Sequence, residues 1–221
     1  MNDNRVAPRD SAMIGAALAF VAGFADASSF VGADGIFCAH VTGNFVVLAA
    51  DLVRHAQSDE WLKLATFPVF IASVLGATWL HRKLHIEAVG RSVRLLLALT
   101  SLSFGAAAAI GLGLPSSSSG APRSAIVALL VVAMGIQNAF HRLKPALGPM
   151  TTVMTGNLTE WLVETVIVSA APIAQSHRRL GAVILSFAVG CAAGAFGVAQ
   201  FGFVVLVVPM AITLFVRSRL R

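Results

Sequence analysis

Apolar residues run along this chain in long stretches, not in the alternation of half-buried strands or the narrow stripes of soluble helices. Six stretches stand out: about residues 12–33, 62–80, 94–114, 124–141, 180–198 and 200–217. Each holds about 18 to 22 residues with few charges, enough to cross roughly 30 Å of hydrocarbon as a helix. Two shorter apolar pieces, Asn44 to Val53 and Asn157 to Ala170, lie between the first and second stretches and between the fourth and fifth. The pattern predicts an all-α membrane protein of about six helices. The open question is whether the two short pieces also cross.

The placement of positive charge answers it. With six crossings and a cytoplasmic N-terminus, one side carries Arg5, Arg9, Arg82, Lys83, Arg91, Arg94, Arg142, Lys144, Arg178, Arg179, Arg217, Arg219 and Arg221. The other side keeps Arg54, Lys63 and Arg123. Thirteen against three is the bias that sets orientation in the membrane, with the basic side cytoplasmic. Letting both short pieces cross would move the cluster from His81 to Arg94 outside and weaken it. Six spans with both termini inside are therefore expected.

A signature then appears twice. The first copy is Gly23-Phe-Ala-Asp26-Ala followed by His40-Val-Thr42-Gly43-Asn44, and the second is Gly135-Ile-Gln137-Asn138-Ala followed by Val153-Met-Thr155-Gly156-Asn157. Each half holds three spans, an odd number, so the second half enters from the opposite side. Two inverted three-helix repeats follow, each with a short helix begun by Thr-Gly-Asn. The expected organisation is an N-terminal tail over 1–11, a first repeat over 12–114 and an external linker over 115–123. A second repeat over 124–217 and a tail over 218–221 complete it.

Composition agrees with this reading. The chain is 57% hydrophobic and 12% charged, with a mean hydropathy of +0.82, outside the range of ordinary soluble domains. The net charge of +6 sits in short clusters between apolar runs, which argues against nucleic acid as a partner. Cys38 and Cys191 lie in apolar surroundings without ligand spacing, as small packing residues do. Arg5, Arg9 and Ala25-Asp26-Ala27 weakly mimic a secretory leader, but the apolar run continues past that point, so a retained helix is expected.

The candidate chemistry is polar and deep. A carboxylate such as Asp26 within a span costs at least about 2.5 kcal/mol to insert and should face a cavity or a partner. Its counterpart is the neutral Asn138, flanked by Gln137, and its candidate partner is His40. Two readings of the Thr-Gly-Asn triplets stay open. They are caps of interfacial or short tilted helices, or turns of re-entrant half-helices that meet near the bilayer centre with free amide ends suited to anions or polar solutes. Glu160 and Glu164, one helical turn apart, fit the watery face of an amphipathic helix or a pathway lining. Gly190, Gly194, Gly76 and Ala77 suit close helix packing, and Trp61, Trp79 and Trp161 suit interfacial anchoring.

The paired segments resemble the YoaK-like family of bacterial membrane proteins, from about Ala12 to Val216. That resemblance implies about six spans and a bacterial membrane location, and it implies no activity and no catalytic residues. No HExxH, GxSxG, Walker or dinucleotide motif occurs, so an enzyme, a metal site or a cofactor is not expected. The expected function is a small-solute transporter or channel in the bacterial cytoplasmic membrane. Its site would draw on Asp26, His40, Thr42, Gly43, Asn44, Gln137, Asn138, Thr155, Gly156 and Asn157. The alternative is a membrane partner or assembly protein whose motifs only lock the bundle. The bilayer and an unidentified solute or ion are the expected partners, with homo-oligomerisation left open.

Overall fold

The computed structural model describes residues 8–55, 60–84, 89–113, 120–145, 148–167 and 174–220. The N-terminal tail up to residue 7 and linker residues 115–119 lie outside them. The chain forms α1 (Pro8–Gly32), α2 (Gly43–Arg54), α3 (Glu60–Lys83), α4 (Val89–Leu112), α5 (Ala121–Leu143), α6 (Met154–Ile167), α7 (Ala174–Phe201) and α8 (Val207–Arg219). A 3-10 turn, Gly202–Leu206, separates the last two. Among the described residues there is no strand.

Five helical stretches among these residues are long and apolar enough to cross a membrane: Ser11–Gly32, Glu60–Lys83, Arg91–Leu112, Ala121–Leu143 and Ser176–Arg219. The chain is thus a multi-pass membrane protein. The fifth stretch is 44 residues long and contains both α7 and α8. It reverses in the 3-10 turn, where Gly202 takes φ +63°, open to glycine without steric cost. Hydropathy alone put this break near residue 199, because the turn residues are themselves apolar. α5 begins at Ala121, inside the stretch 115–123 expected as linker. Pro122 lies in the first turn of α5, where a missing N–H costs nothing.

Contacts fix the helix directions. At one end, Ile14 and Leu18 of α1 pack with Ala77 of α3, Val93 and Leu96 of α4, Phe140 of α5 and Val216 of α8. That end gathers the close of α3, α5 and α8 with the start of α1 and α4, and with them Arg82, Lys83, Arg91, Arg94, Arg142, Arg217 and Arg219. The opposite end gathers Ala33, Ile126, Phe203 and Val205. Two of its basic residues are neutralised: Lys63 pairs with Asp51 at 2.9 Å and Arg123 with Asp34 at 2.7 Å.

Two helices form the centre. About two-thirds of the apolar stretches of α1 and α5 are buried, against 11% of α3. Outer faces carry Ile71, Leu75, Trp79, Leu185 and Phe196, all exposed, as a lipid-facing surface requires. α1 and α7 run parallel in close contact. A Cβ built on Gly23 would collide with the Phe187 carbonyl oxygen, and one on Gly190 or Gly194 with that of Phe20 or Phe24. Only glycine lets these backbones approach so closely. The expectation for Gly76 fails: nothing lies within 4 Å of its Cβ position, and Gly135 makes the matching contact, 2.7 Å from Ser73 Cβ. The match to Gly190–Gly194 gave Gly76 a packing role but could not say that its side of α3 looks outward.

Candidate functional site

The chain leaves α1 at Gly32, turns through Asp34 and Gly35 at positive φ, and doubles back alongside the helix it has left. It returns as far as Asp26, six residues below the helix end, which is about 9 Å at 1.5 Å per residue. There the backbone N–H groups of Ala39 and His40 donate to Asp26 Oδ1 at 2.8 and 3.4 Å. His40 Nδ1 is hydrogen-bonded to Asp26 Oδ2 at 2.5 Å. The Asp26 side chain is 5% exposed and that of His40 is 37% exposed. Phe37 and Phe187 flank the imidazole, with ring centroids 6.4 and 5.7 Å away. The sequence-level pairing of Asp26 with His40 is therefore present.

Asn44 closes the same loop. Its Oδ1 accepts from the Phe37 N–H, and its Nδ2 donates to the Phe37 carbonyl, both at 2.8 Å. Nδ2 also donates to Thr66 Oγ1 of α3 at 3.0 Å. Asn44 is 2% exposed, so these bonds replace all the water it gives up. α2 then climbs beside α3 towards the end it came from, held by the buried Lys63–Asp51 pair. Two details of the expected cap differ. Thr42 is exposed and makes no side-chain cap bond. The first amides of α2 are already engaged: Gly43, Asn44 and Phe45 N–H donate to the carbonyls of His40, Val41 and Thr42. A tight turn satisfies these groups locally, so the α2 terminus does not offer the free amides expected there.

The second copy builds a similar turn at the opposite end. After α5 the chain returns to Asn138, five residues before the helix end, or about 8 Å. Asn138 Oδ1 accepts from Thr152 Oγ1 at 2.6 Å, and its Nδ2 donates to the Met134 carbonyl at 3.0 Å. Asn157 Nδ2 donates to the Met150 carbonyl at 2.7 Å. α6 runs back beside α7, where Trp161 stacks on His177 at 4.7 Å and Ser176 Oγ donates to Glu164 Oε1 at 3.1 Å. Thr155 and Gly156 are exposed, and Asn157 is buried. Gln137 ties the two central helices: its Nε2 donates to the Leu18 carbonyl at 2.8 Å and to Thr151 Oγ1 at 2.9 Å.

The bond to Leu18 also sets the depth of the two turns. It places Leu18 of α1 level with Gln137 of antiparallel α5, so Asp26 and Asn138 stand about 13 Å apart along the bundle. The expected meeting of both turns near one central level is not what the fold delivers, since each loop descends only part of the way. Residue spacing bounded the reach of the loops, but the bonds to Asp26 and Asn138 stop them short.

The bonds repeat with the sequence. Asn44–Phe37 and Asn157–Met150 are both seven residues apart. Asp51–Lys63 and Glu164–Ser176 are matched at a shift of 113 in both partners. Ser101 and Thr213, 112 residues apart, are bonded to each other at 2.7 Å, both buried. Sequence reasoning missed Phe37, Met150, Thr151, Thr152, Lys63 and Asp51. The last pair had a signal, since Lys63 and Asp51 sit inside apolar runs. The backbone partners had none, because any residue could supply a carbonyl. Among the described residues no cluster of His, Cys, Asp and Glu suited to a metal ion is found.

A family model described as "Protein of unknown function (DUF1275)" matches residues 14–217, and the chain belongs to that family. No curated protein and no solved structure matches it.

Proposed function

From membership in a family without an assigned activity, we propose that this chain is a six-span transporter or channel for a small solute, built as two inverted halves. Its place would be the bacterial cytoplasmic membrane, with both termini on the basic, cytoplasmic side. The observation that carries the reading is the pair of doubled-back turns at opposite ends of the bundle, held by bonds that recur at matched positions. Inverted repeats with interrupted backbone are a recurrent plan of secondary transporters, which keep irregular backbone only where protein or a wet cavity surrounds it. The Asp26–His40 pair gives one turn an exchangeable proton beside a partly open imidazole. In this reading the pair couples a proton or cation to solute movement, while Asn44 and Asn157 hold the turns that form the path. The chemistry is binding and displacement, without an enzymatic step.

A second reading has its own support. Asn44, Asn138, Gln137 and Asn157 all spend hydrogen bonds on the protein itself. That fits a membrane partner or assembly protein whose motifs are structural.

The test uses Thr42→Cys and Thr155→Cys, both at exposed positions, each in a Cys38→Ala/Cys191→Ala background. A membrane-impermeant thiol reagent is applied from each side of sealed vesicles. Transport predicts slow labelling of the two sites from opposite sides. In reconstituted vesicles, Asp26→Asn should then abolish proton-driven uptake of the screened solute with the fold intact. Labelling at bulk rates, or no labelling at all, removes the aqueous path and leaves the structural reading.

A further inference from the structure

At the basic end of the bundle, α3, α4 and α8 enclose an open pocket of about 570 Å³. Three of its lining residues are arginines, Arg91, Arg94 and Arg217, and four are leucines, Leu84, Leu95, Leu214 and Leu220. A bond between His81 Nδ1 and Ser92 Oγ, at 2.9 Å, ties the end of α3 to the start of α4 beside Arg91. Among the described residues no carboxylate lines the pocket, and none of the three guanidinium groups has a side-chain partner. Three like charges on one pocket repel each other, and the charge bias asks only that they lie at this end, not that they converge on one cavity. The halves of the chain supply an internal control. At the shift of 112 that pairs Ser101 with Thr213, the positions matched to Arg91, Arg94 and Arg217 are Phe203, Leu206 and Gly105. The matched positions, Phe203 and Leu206 in the 3-10 turn and Gly105 in α4, carry no charge.

We propose that this pocket binds the phosphate of an anionic phospholipid, with an acyl chain lying along the leucines. Guanidinium forks match phosphate oxygens geometrically, and basic pockets between membrane helices on the positive side suit acidic head groups. The leucines distinguish an amphiphile from a free phosphate ester, because an apolar wall contributes to binding only when apolar surface is covered. The site is independent of the transport reading, since it touches neither turn.

The experiment uses the full chain in neutral detergent, with native mass spectrometry and thermal unfolding as readouts. Phosphatidylglycerol, phosphatidylcholine and glycerol phosphate are the three probes. Phosphatidylglycerol is expected to bind one per chain and to raise the melting temperature, with phosphatidylcholine inert. Arg91→Gln/Arg94→Gln/Arg217→Gln should weaken that binding by roughly a hundredfold, each arginine near the surface contributing about fivefold. Arg142→Gln/Arg178→Gln, which alters basic residues outside the pocket, should leave it unchanged. If the triple variant does not fold, Arg217→Gln alone is expected to lose about fivefold. Equal binding of phosphatidylcholine, or an equal loss in the control variant, overturns the site. Binding of glycerol phosphate as tight as that of the lipid overturns the lipid assignment in favour of a soluble phosphate ester.

Discussion

The two doubled-back turns do the same mechanical work with different chemistry. In the first, a carboxylate holds two backbone amides and an imidazole, and an asparagine grips both backbone groups of Phe37. In the second, a neutral amide takes one hydroxyl, and the matching asparagine donates to a single carbonyl. The braces differ as well: α2 is tied to α3 by an ion pair between half-buried Asp51 and buried Lys63, α6 to α7 by the exposed Ser176–Glu164 bond. Pinning a loop thus needs neither a charge nor an ion pair, because the second turn manages without them. The ionisable groups of the first turn are extra to that task, and extra polar groups at membrane depth are where function is to be sought.

Substitutions can break that contrast, the most damaging first. Asp51→Ala should destabilise the protein by about 3 kcal/mol or more, since it removes the carboxylate that faces the fully buried Lys63 ammonium. Ser176→Ala should change stability by less than about 1 kcal/mol, because the bond it removes is open to solvent. Thermal unfolding in detergent would measure both, and comparable losses would remove the asymmetry. Asn44→Ala leaves the N–H and C=O of Phe37 unpaired and should cost about 2 to 3 kcal/mol, against about 1 kcal/mol for Asn157→Ala. Hydrogen exchange at residues 37–44 and 150–157 would report this directly, with the faster opening expected in the first loop. The smallest effect is reserved for the bond between the halves. Ser101→Val with Thr213→Val removes both partners together and should shift stability by less than about 1 kcal/mol, whereas Ser101→Val alone should cost more. A double variant that loses as much as the sum of the singles would show that the two hydroxyls are not coupled.

Much of the candidate site is legible in the sequence. The cost of a carboxylate in an apolar run pairs Asp26 with His40, and the structure brings them together. The repeated Thr-Gly-Asn triplets point to short helices that start below the surface of the bundle. Their three members are not equivalent, because Thr42 and Thr155 are exposed and make no cap or loop-pinning bond while each asparagine is buried and bonded. A triplet carries no mark of which member turns inward. The depth of the turns is also out of reach, since loop length limits how far a chain can go but not where it is stopped.

The helical segments, the apolar bundle and the charge bias between its ends all follow from local sequence. Twenty apolar residues must satisfy their own backbone in lipid, and a helix does this with no help from elsewhere in the chain. Fold-level facts were decided by contacts between distant residues. The glycines of α1 and α7 bring two backbones together, and Gln137 sets the register of the central helices. Ser101 of α4 meets Thr213 of α8. Arginines from α4 and α8 converge on one pocket although more than a hundred residues separate them. Such pairings depend on which faces of helices meet, and a face has no partner until the bundle closes.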